Sequence, residues 1–315
     1  MNHEKSAFYP MKMSPHFKDY PWGGQALRKF NKLSSLQILA ESWELSTNKN
    51  GLSSVANGQY KNLSLLEVIK MAPQATLGDT SNEEVPIIVK LIDAERDLSI
   101  QVHPSTEDES LIPGISGKSE LWYVVDCKPD AFVYCGFNRD TTGDEVKTRA
   151  QNGTICEILN KVAVAKGNGI FVPAKTIHAL GSGVVVAEVQ QNSDTTFRVF
   201  DYNRVDKDGI LRQLHLDKAI KILNFEKTNI EDLIQRELTR FKCDFFEVTN
   251  VKVLDEMSIH SDKKRFQALL FLSGSGNIIY NEEKFGFSIG DCYFIPAEIE
   301  RYKVKGCCQF LLIEV

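Results

Sequence analysis

Short apolar runs separated by turn residues dominate the chain. Residues 86–92, 121–125, 132–137 and 292–295 are such runs, and each predicts a short β-strand. Residues 167–189 alternate between apolar runs and tight turns, which is typical of consecutive strands. The pattern therefore predicts a mainly β protein. Further strands are predicted at residues 40–46, 245–248, 267–272, 277–280 and 309–314.

Three stretches have a helical pattern instead. Ser64 and Glu67 have the spacing of a capping box and precede an apolar stretch, so a helix is predicted there that ends by Pro73. We interpret it as a packing helix outside any functional site. Residues 142–160 and 211–240 also predict helices.

Composition excludes several classes of protein. The 315 residues are 43% hydrophobic and 25% charged, which is ordinary for a globular protein. The net charge of −5 argues against nucleic-acid binding, because no basic excess exists to neutralise phosphates. No window approaches the length of a membrane span, and the N-terminus has no apolar signal-peptide region. The seven cysteines are scattered without a C-x-x-C pair, which fits reduced thiols and predicts a cytoplasmic protein.

Four residues distant in the chain form a candidate ligand set. Gln101 and His103 are two residues apart, so on a strand both side chains project from the same face. Glu120 begins a later apolar run, and His178 follows another. Two imidazoles, a carboxylate and an amide oxygen suit Zn²⁺ or a similar divalent ion. We therefore predict that these four side chains meet at a metal site.

Two cationic residues lie near this set in the sequence. Lys118 is two residues before Glu120, so on an extended segment both side chains share a face. Arg198 alternates with Phe197 and Val199, which directs it away from the apolar pair. Each cation, taken singly, could be a solvated surface residue. Beside a metal, an inward arginine would bind an anion or a developing oxyanion.

A spacing pattern occurs twice in the chain. In each copy a glycine precedes an apolar run and a Pro-Ala pair, and a polar residue follows at the same distance. The first copy ends in a histidine and the second in an arginine, so the second lacks this candidate ligand. The two copies are formed by Gly167, Pro173, Ala174 and His178 and by Gly290, Pro296, Ala297 and Arg301.

The order of these features resembles that of a cupin, which carries a ligand pair on one strand, a glutamate on the next and a histidine on a later strand. The resemblance implies jelly-roll β-barrels, in which inward side chains of several antiparallel strands converge. We therefore predict two cupin-type β-barrel units with peripheral α-helices. Residues 1–210 would form a catalytic metal-binding unit with helical insertions, 211–240 a helical connection and 241–315 a degenerate metal-free unit.

Six segments, some of which contain the residues above, carry a more specific signal. They are residues 20–24, 40–44, 98–104, 117–120, 173–179 and 193–198. Together they resemble the type I mannose-6-phosphate isomerase family in its short bacterial form, and Leu-Ser-Ile-Gln-Val-His-Pro at 98–104 is the strongest match. The resemblance implies that Arg198 and Lys118 are catalytic residues. The residues implied to hold one Zn²⁺ are Gln101, His103, Glu120 and His178.

The resemblance implies reversible interconversion of mannose 6-phosphate and fructose 6-phosphate, with a sugar phosphate as partner and neither nucleic acid nor membrane. Moving a proton between C1 and C2 creates an enediolate, which a nearby cation stabilises. The general base stays open among Lys118, Glu41 and a metal-bound hydroxide, and Arg28 and Lys118 are candidate phosphate contacts. Alternative functions are a non-catalytic metal-dependent sugar-binding cupin module, a different sugar-phosphate isomerase, or a metal-dependent dioxygenase.

Overall fold

The structure is a computed structural model that describes residues 8–79, 82–205 and 209–315. The N-terminal residues 1–7, on which the prediction about a signal peptide depends, lie outside the described residues, as does His3. Within the described ranges, no helix is long and apolar enough to cross a membrane.

The described residues form strands throughout and only short helices. The strands of the first half are β1 (Met11–Ser14), β2 (His16–Lys18), β3 (Glu41–Leu45), β4 (Ser54–Val55), β5 (Ile87–Ala94), β6 (Ile100–Val102), β7 (Glu120–Cys127), β8 (Phe132–Phe137) and β9 (Leu159–Ala163). Those of the second half are β10 (Gly169–Val172), β11 (His178–Leu180), β12 (Val184–Gln191), β13 (Phe197–Phe200), β14 (Ile234–Gln235), β15 (Arg240–Lys242), β16 (Glu247–Val253), β17 (Glu256–His260), β18 (Gln267–Tyr280), β19 (Glu283–Ser288), β20 (Cys292–Ile295) and β21 (Arg301–Glu314). The helices are α1 (Leu65–Met71), α2 (Pro73–Leu77), α3 (Gly143–Asn152) and α4 (Leu216–Ile222), with 3₁₀ turns at Ala26–Phe30, Thr106–Ser110, Ile155–Ile158 and Ile230–Asp232.

A seven-stranded antiparallel sheet lies at the centre, in the order β14–β10–β7–β12–β5–β3–β2. Successive side chains of a strand point to opposite faces, and here both faces are buried. Ile87, Val89 and Leu91 of β5 pack in one core with Leu270 and Leu311 of the C-terminal sheet. The opposite face of the same strands looks toward the second sheet of the N-terminal half. This sheet is therefore shared between the two halves of the molecule.

The second sheet has five strands in the order β13–β6–β11–β8–β9. Its core includes Val146 of α3 and Ala219 of α4, so these helices pack on this sheet. Among the described residues, no strand of the five-stranded sheet pairs with a strand of the seven-stranded sheet. The arrangement is that of a jelly roll with two facing sheets rather than one closed ring. The prediction of a mainly β, cupin-type fold with peripheral helices is confirmed.

The C-terminal sheet has nine strands. Its main order is β15–β16–β21–β18–β20–β1–β4, with β17 paired to β21 and β19 to β18. Strand β1 comes from the N-terminus and pairs with β20, where Met11 lies opposite Phe294. The interior is filled by aliphatic and aromatic side chains, and the rings of Phe271 and Phe287 stack 3.7 Å apart. The predicted boundaries of the two units stay a prediction, although this pairing ties the N-terminus to the C-terminal sheet.

Two of the predicted helical stretches are shorter than the sequence pattern indicates. The capping box of Ser64 and Glu67 is present and begins α1 as predicted. Helix α3 ends at Gly153, whose φ of 73° terminates it, and the chain then continues as a 3₁₀ turn and β9. The predicted helical connection at 211–240 contains one α-helix, α4. Residues 234–235 form strand β14 instead of continuing as a helix, because they pair with β10.

Candidate metal centre and active-site cavity

Four side chains from three strands converge between the two sheets of the N-terminal half. His178 begins β11 directly opposite Gln101 of β6, His103 follows β6, and Glu120 begins β7 on the other sheet. Nε2 of His178 lies 3.2 Å from Nε2 of His103 and 3.3 Å from the Glu120 carboxylate. Nε2 of His103 lies 3.4 Å from the same carboxylate. We refer to Gln101, His103, Glu120 and His178 as the metal group.

Hydrogen bonds fix the orientation of both imidazoles. Nδ1 of His103 lies 2.8 Å from the carbonyl oxygen of Thr195, and Nδ1 of His178 lies 2.8 Å from that of Thr176. Because a carbonyl can only accept, each Nδ1 carries the proton and each Nε2 lone pair faces the other ring. Burial, with the charge of Lys118 next, lowers the pKa of His103 to about 3, and burial also lowers that of His178. Both rings are therefore neutral, as metal ligands must be.

Glu120 supplies the negative charge of the group. Among the described residues neither of its buried oxygens accepts a hydrogen bond of ordinary geometry, although Nζ of Lys118 lies 3.2 Å from Oε2. Burial opposes ionisation, but the cation of Lys118 and the two imidazoles hold the pKa of this carboxyl well below its ordinary value. A buried carboxylate with unsatisfied oxygens costs free energy unless a cation completes its surroundings.

The spacing of the metal group fits a small divalent ion. A tetrahedral ion with ligand bonds of about 2.0–2.1 Å separates its ligands by about 3.3–3.4 Å, which matches the distances between the two rings and the carboxylate. The amide of Gln101 lies 3.4 Å from Nε2 of His178, so its oxygen can become the fourth ligand when the amide is turned toward the group.

A cavity of about 260 Å³ opens beside the metal group. Part of its wall is a row of side chains that lie opposite one another across three strands of the seven-stranded sheet: Trp43, Lys90 and Glu188. Nζ of Lys90 lies 3.2 Å from Oε1 of Glu188 and 3.8 Å from Oε2 of Glu41. Burial opposes the charge of Lys90, yet the neighbouring carboxylates raise its pKa above the ordinary value.

Arginines line another part of the cavity. Arg198 of β13 lies directly opposite Gln101 in the pairing of β13 with β6. Its Nε is buried and has no hydrogen-bond partner among the described residues. Burial and the nearby charge of Arg212, which lines the same cavity, lower the pKa of Arg198. An anion with two or more oxygens could satisfy both guanidinium groups.

Comparisons with known proteins match this fold and site. Residues 11–129 match the family described as phosphomannose isomerase type I, catalytic domain, and residues 236–315 match that described as mannose-6-phosphate isomerase, cupin domain. The mannose-6-phosphate isomerase ManA of Bacillus subtilis is 34% identical over 96% of this chain and 98% of its own length. The chain belongs to the type I phosphomannose isomerase family.

A mannose-6-phosphate isomerase of Streptococcus mutans is 30% identical over 92% of this chain and 93% of its own length. The crystal structure of the mannose 6-phosphate isomerase from Bacillus subtilis has a TM-score of 0.89 to this one, with 30% identity over 98% of this chain and all of that chain.

This member of the family brings the predicted site residues together. Gln101, Lys118 and Arg198 line one cavity, as does Glu41, a candidate general base. Arg28 does not line it: its guanidinium is exposed and donates to the carbonyl of Leu36 and the side chain of Gln25. The geometry therefore does not support Arg28 as a phosphate contact. The catalytic and metal-binding roles of the other residues stay predictions.

Sequence analysis missed other residues of the cavity. Lys90 and Glu188 each interrupt an otherwise apolar strand, and a charge inside a strand that is buried on both faces is a signal that was available. Arg212 gave no comparable signal, because it lies in an irregular segment whose position depends on tertiary contacts. Trp122 does not line the cavity, but its Nε1 donates to Glu188 at 2.9 Å, whereas sequence analysis treated it only as part of a strand.

Proposed function

We propose that this protein is a zinc-dependent aldose–ketose isomerase that interconverts mannose 6-phosphate and fructose 6-phosphate. The observation that carries the proposal is the convergence of two neutral imidazoles on the buried carboxylate of Glu120. Each imidazole donates from Nδ1 to a backbone carbonyl, and neither oxygen of the carboxylate has a hydrogen-bond partner among the described residues. We assign one Zn²⁺ per chain to this metal group, because its donor atoms are those that zinc prefers. Membership of the family and the identities of the curated relatives support the substrate.

The side chains of the cavity have separate roles in proton transfer. Gln101, His103, Glu120 and His178 would hold the metal, which would supply a Lewis acid to polarise an oxygen of the substrate. Arg198 has an unpartnered Nε in the cavity, and it donates hydrogen bonds to the oxygen on which charge develops as the proton leaves carbon. Lys118 lines the same cavity and is held 3.2 Å from Glu120.

Two residues compete for the role of general base. Lys118 lies beside the metal group, and Glu41 accepts from Nε1 of Trp43 at 2.6 Å, which fixes its orientation in the cavity. Comparing Lys118→Met with Glu41→Gln for exchange of the C2 proton with deuterated water separates them. The base is the residue whose replacement abolishes both exchange and isomerisation while the metal content stays unchanged.

A chelation assay tests the proposed function. The purified protein is assayed for conversion of mannose 6-phosphate to fructose 6-phosphate before chelation, after chelation, and after Zn²⁺ is restored. We expect activity to disappear on chelation and to return with stoichiometric zinc. Activity that survives complete removal of metal would contradict the metal assignment, and no conversion by the zinc-loaded protein would contradict the substrate assignment.

We place this reaction in the cytoplasm and in the N-terminal unit at residues 1–210, with 211–240 as a connection and 241–315 as a unit without metal. All seven cysteines are free, which fits a reducing compartment. The position that corresponds to His178 in the second copy is Arg301, which is exposed. The proposed partner is a small sugar phosphate.

A further inference from the structure

The two lysines and the two arginines that line the cavity differ in their carboxylate partners. Lys90 lies between Glu41 and Glu188, and Lys118 lies against Glu120, so each lysine has a carboxylate partner. Near the two arginines that line the cavity, Arg198 and Arg212, one buried carboxylate, that of Asp201, pairs with Arg212 and with Arg204. We refer to these residues, Arg198, Asp201, Arg204 and Arg212, as the arginine cluster.

Asp201 is the buried centre of this cluster, with a side chain only 3% exposed. It accepts hydrogen bonds from Arg204 and lies 3.2 Å from Nη1 of Arg212. Arg204 also donates to the carbonyl oxygen of Asp97 and does not line the cavity. Arg204 is therefore engaged on the protein side, whereas Arg212 is held by Asp201 with its side chain along the cavity.

Arg198 and Arg212 face the same space with little to neutralise them. Three cations and one carboxylate leave the cluster with a surplus of two positive charges, in a region where Arg212 is only 15% exposed. Asp194 also lines the cavity, but it is exposed and accepts from the side chain of Asn50. Holding two guanidinium groups together out of water is unfavourable unless an anion lies between them.

The anion that fits this surplus is a phosphate monoester. It carries a charge near −2 at neutral pH and presents three acceptor oxygens, and arginine recognises such oxygens in a two-pronged geometry. The cluster lies in the cavity of the metal group, and Arg198 is the cross-strand neighbour of Gln101. When the reacting carbons of a sugar lie at the metal group, the rest of the sugar therefore lies within the cavity that both arginines line.

We propose that Arg212 binds the phosphate group of the substrate and is the residue that makes this site specific for a phosphorylated sugar. Asp201 positions Arg212, and Arg204 supports Asp201 from outside the cavity. This inference rests on the proposed function for the identity of the sugar, but the phosphate site can be tested without turnover.

The test measures binding of inorganic phosphate to the zinc-loaded protein by calorimetry. We expect Arg212→Gln to weaken phosphate binding by about 10- to 100-fold, the range for loss of a hydrogen-bonded charge. Arg212→Lys keeps the charge without the planar fork, so binding should weaken by about 3- to 10-fold. For mannose 6-phosphate, KM should rise by a larger factor than kcat falls, whereas weak binding of unphosphorylated mannose should stay unchanged.

Arg240→Gln is the control, because Arg240 also pairs with a buried carboxylate, that of Glu247, but lies on the C-terminal sheet and does not line the cavity. Its phosphate affinity should stay within about threefold of the wild type. Phosphate binding that is unchanged in both Arg212 variants, or that falls equally in Arg240→Gln and Arg212→Gln, would overturn the proposal. If the wild type binds phosphate through Arg212 yet converts no mannose 6-phosphate, the proposed function fails and this inference stands.

Discussion

At the scale of single residues, the two imidazoles of the metal group owe their neutral form to their surroundings. Burial removes the water that would stabilise an imidazolium, and a carbonyl holds each Nδ1 proton on the side away from the cavity. The ligand atoms are thus deprotonated before any metal arrives. That arrangement favours metal binding near neutral pH and makes the metal-free protein sensitive to acid.

The metal-free protein should lose stability as the pH falls below the ordinary histidine pKa of 6.5. Between that value and about 3, where His103 titrates in the folded state, the unfolded chain binds a proton that the folded chain excludes. The free energy of unfolding should therefore fall by about 1.4 kcal/mol per pH unit for each such imidazole. Urea unfolding of the metal-free protein near pH 7 and near pH 5 measures this change in the free energy of unfolding.

His103→Gln provides the comparison for this measurement. The variant lacks one of the two buried imidazoles, so the pH dependence of its unfolding free energy should be shallower than that of the wild type by about one histidine. An equal slope in both proteins would show that His103 titrates normally in the folded state.

Arg198→Ala should separate metal binding from catalysis. The guanidinium does not belong to the metal group, so metal content should equal that of the wild type, while kcat falls by about 10²- to 10³-fold with loss of donors to the developing charge. Metal analysis and steady-state kinetics on the same preparation measure both. His178→Ala is the contrasting variant, since it should lose metal and activity together. An unchanged kcat in Arg198→Ala would remove this residue from the mechanism.

At the scale of elements, a buried ion pair joins strand β3 to the C-terminal sheet. Nζ of Lys32 lies 2.6 Å from Oε2 of Glu44 in β3 and also donates to the carbonyl of Gly290, just before β20. The hydroxyl of Ser42 donates to the other oxygen of Glu44 at 2.6 Å. Burial raises the pKa of this carboxyl, and Lys32 opposes the effect. Removal of the lysine would leave a carboxyl without its cation.

Lys32→Met should therefore lower the free energy of unfolding by about 3–5 kcal/mol. The double variant Lys32→Met with Glu44→Leu should recover much of that loss, because it replaces both members of the pair with apolar groups. Urea unfolding of the wild type, both single variants and the double variant measures the coupling. A single variant as stable as the wild type would mean that the pair contributes nothing to the contact between β3 and the C-terminal sheet.

The sequence was informative where chemistry and local structure coincide in a short segment. Gln101 and His103 could be placed on one face because alternation along a strand depends on no distant contact. The capping box of Ser64 and Glu67 is equally local, and it begins α1 as predicted. The matching spacing of the two copies also corresponds to matching strands, since His178 begins β11 and Arg301 begins β21.

Features that depend on register between distant strands were not predictable. The ion pair of Lys90 and Glu188 exists because β5 and β12 align these residues, although nearly one hundred positions separate them. The segment after Ile230 was predicted as a helix, but pairing of residues 234–235 with β10 outweighs its local propensity. Arg212 lies in the cavity because Asp201 holds it, a contact that no periodicity indicates.

At the scale of the whole molecule, the central sheet is buried from both sides. Val89 and Leu121 share one core with Leu270 and Ile313 of the C-terminal sheet, and that core also receives Met11 of β1. The opposite face of the same sheet carries Lys90, Glu188 and the cavity. The C-terminal sheet thus stabilises the wall of the cavity from behind, even though its own interior is filled by aliphatic and aromatic side chains.

A chain ending at residue 235 should therefore fail to form an active protein. Loss of the C-terminal sheet would expose one entire apolar face of the central sheet and leave β1 without its partner β20. We expect the truncated chain to aggregate or to bind a hydrophobic dye without near-ultraviolet circular dichroism.

Co-expression of residues 236–315 with the truncated chain is the informative control. If the shared core is what the truncated chain lacks, the two pieces should associate and recover metal binding and isomerase activity. A truncated chain that is monomeric, folded and able to bind zinc by itself would contradict the dependence argued here. Such a result would mean that the strands around the cavity are stabilised by the five-stranded sheet and helices α3 and α4 alone, with the C-terminal sheet as an independent unit.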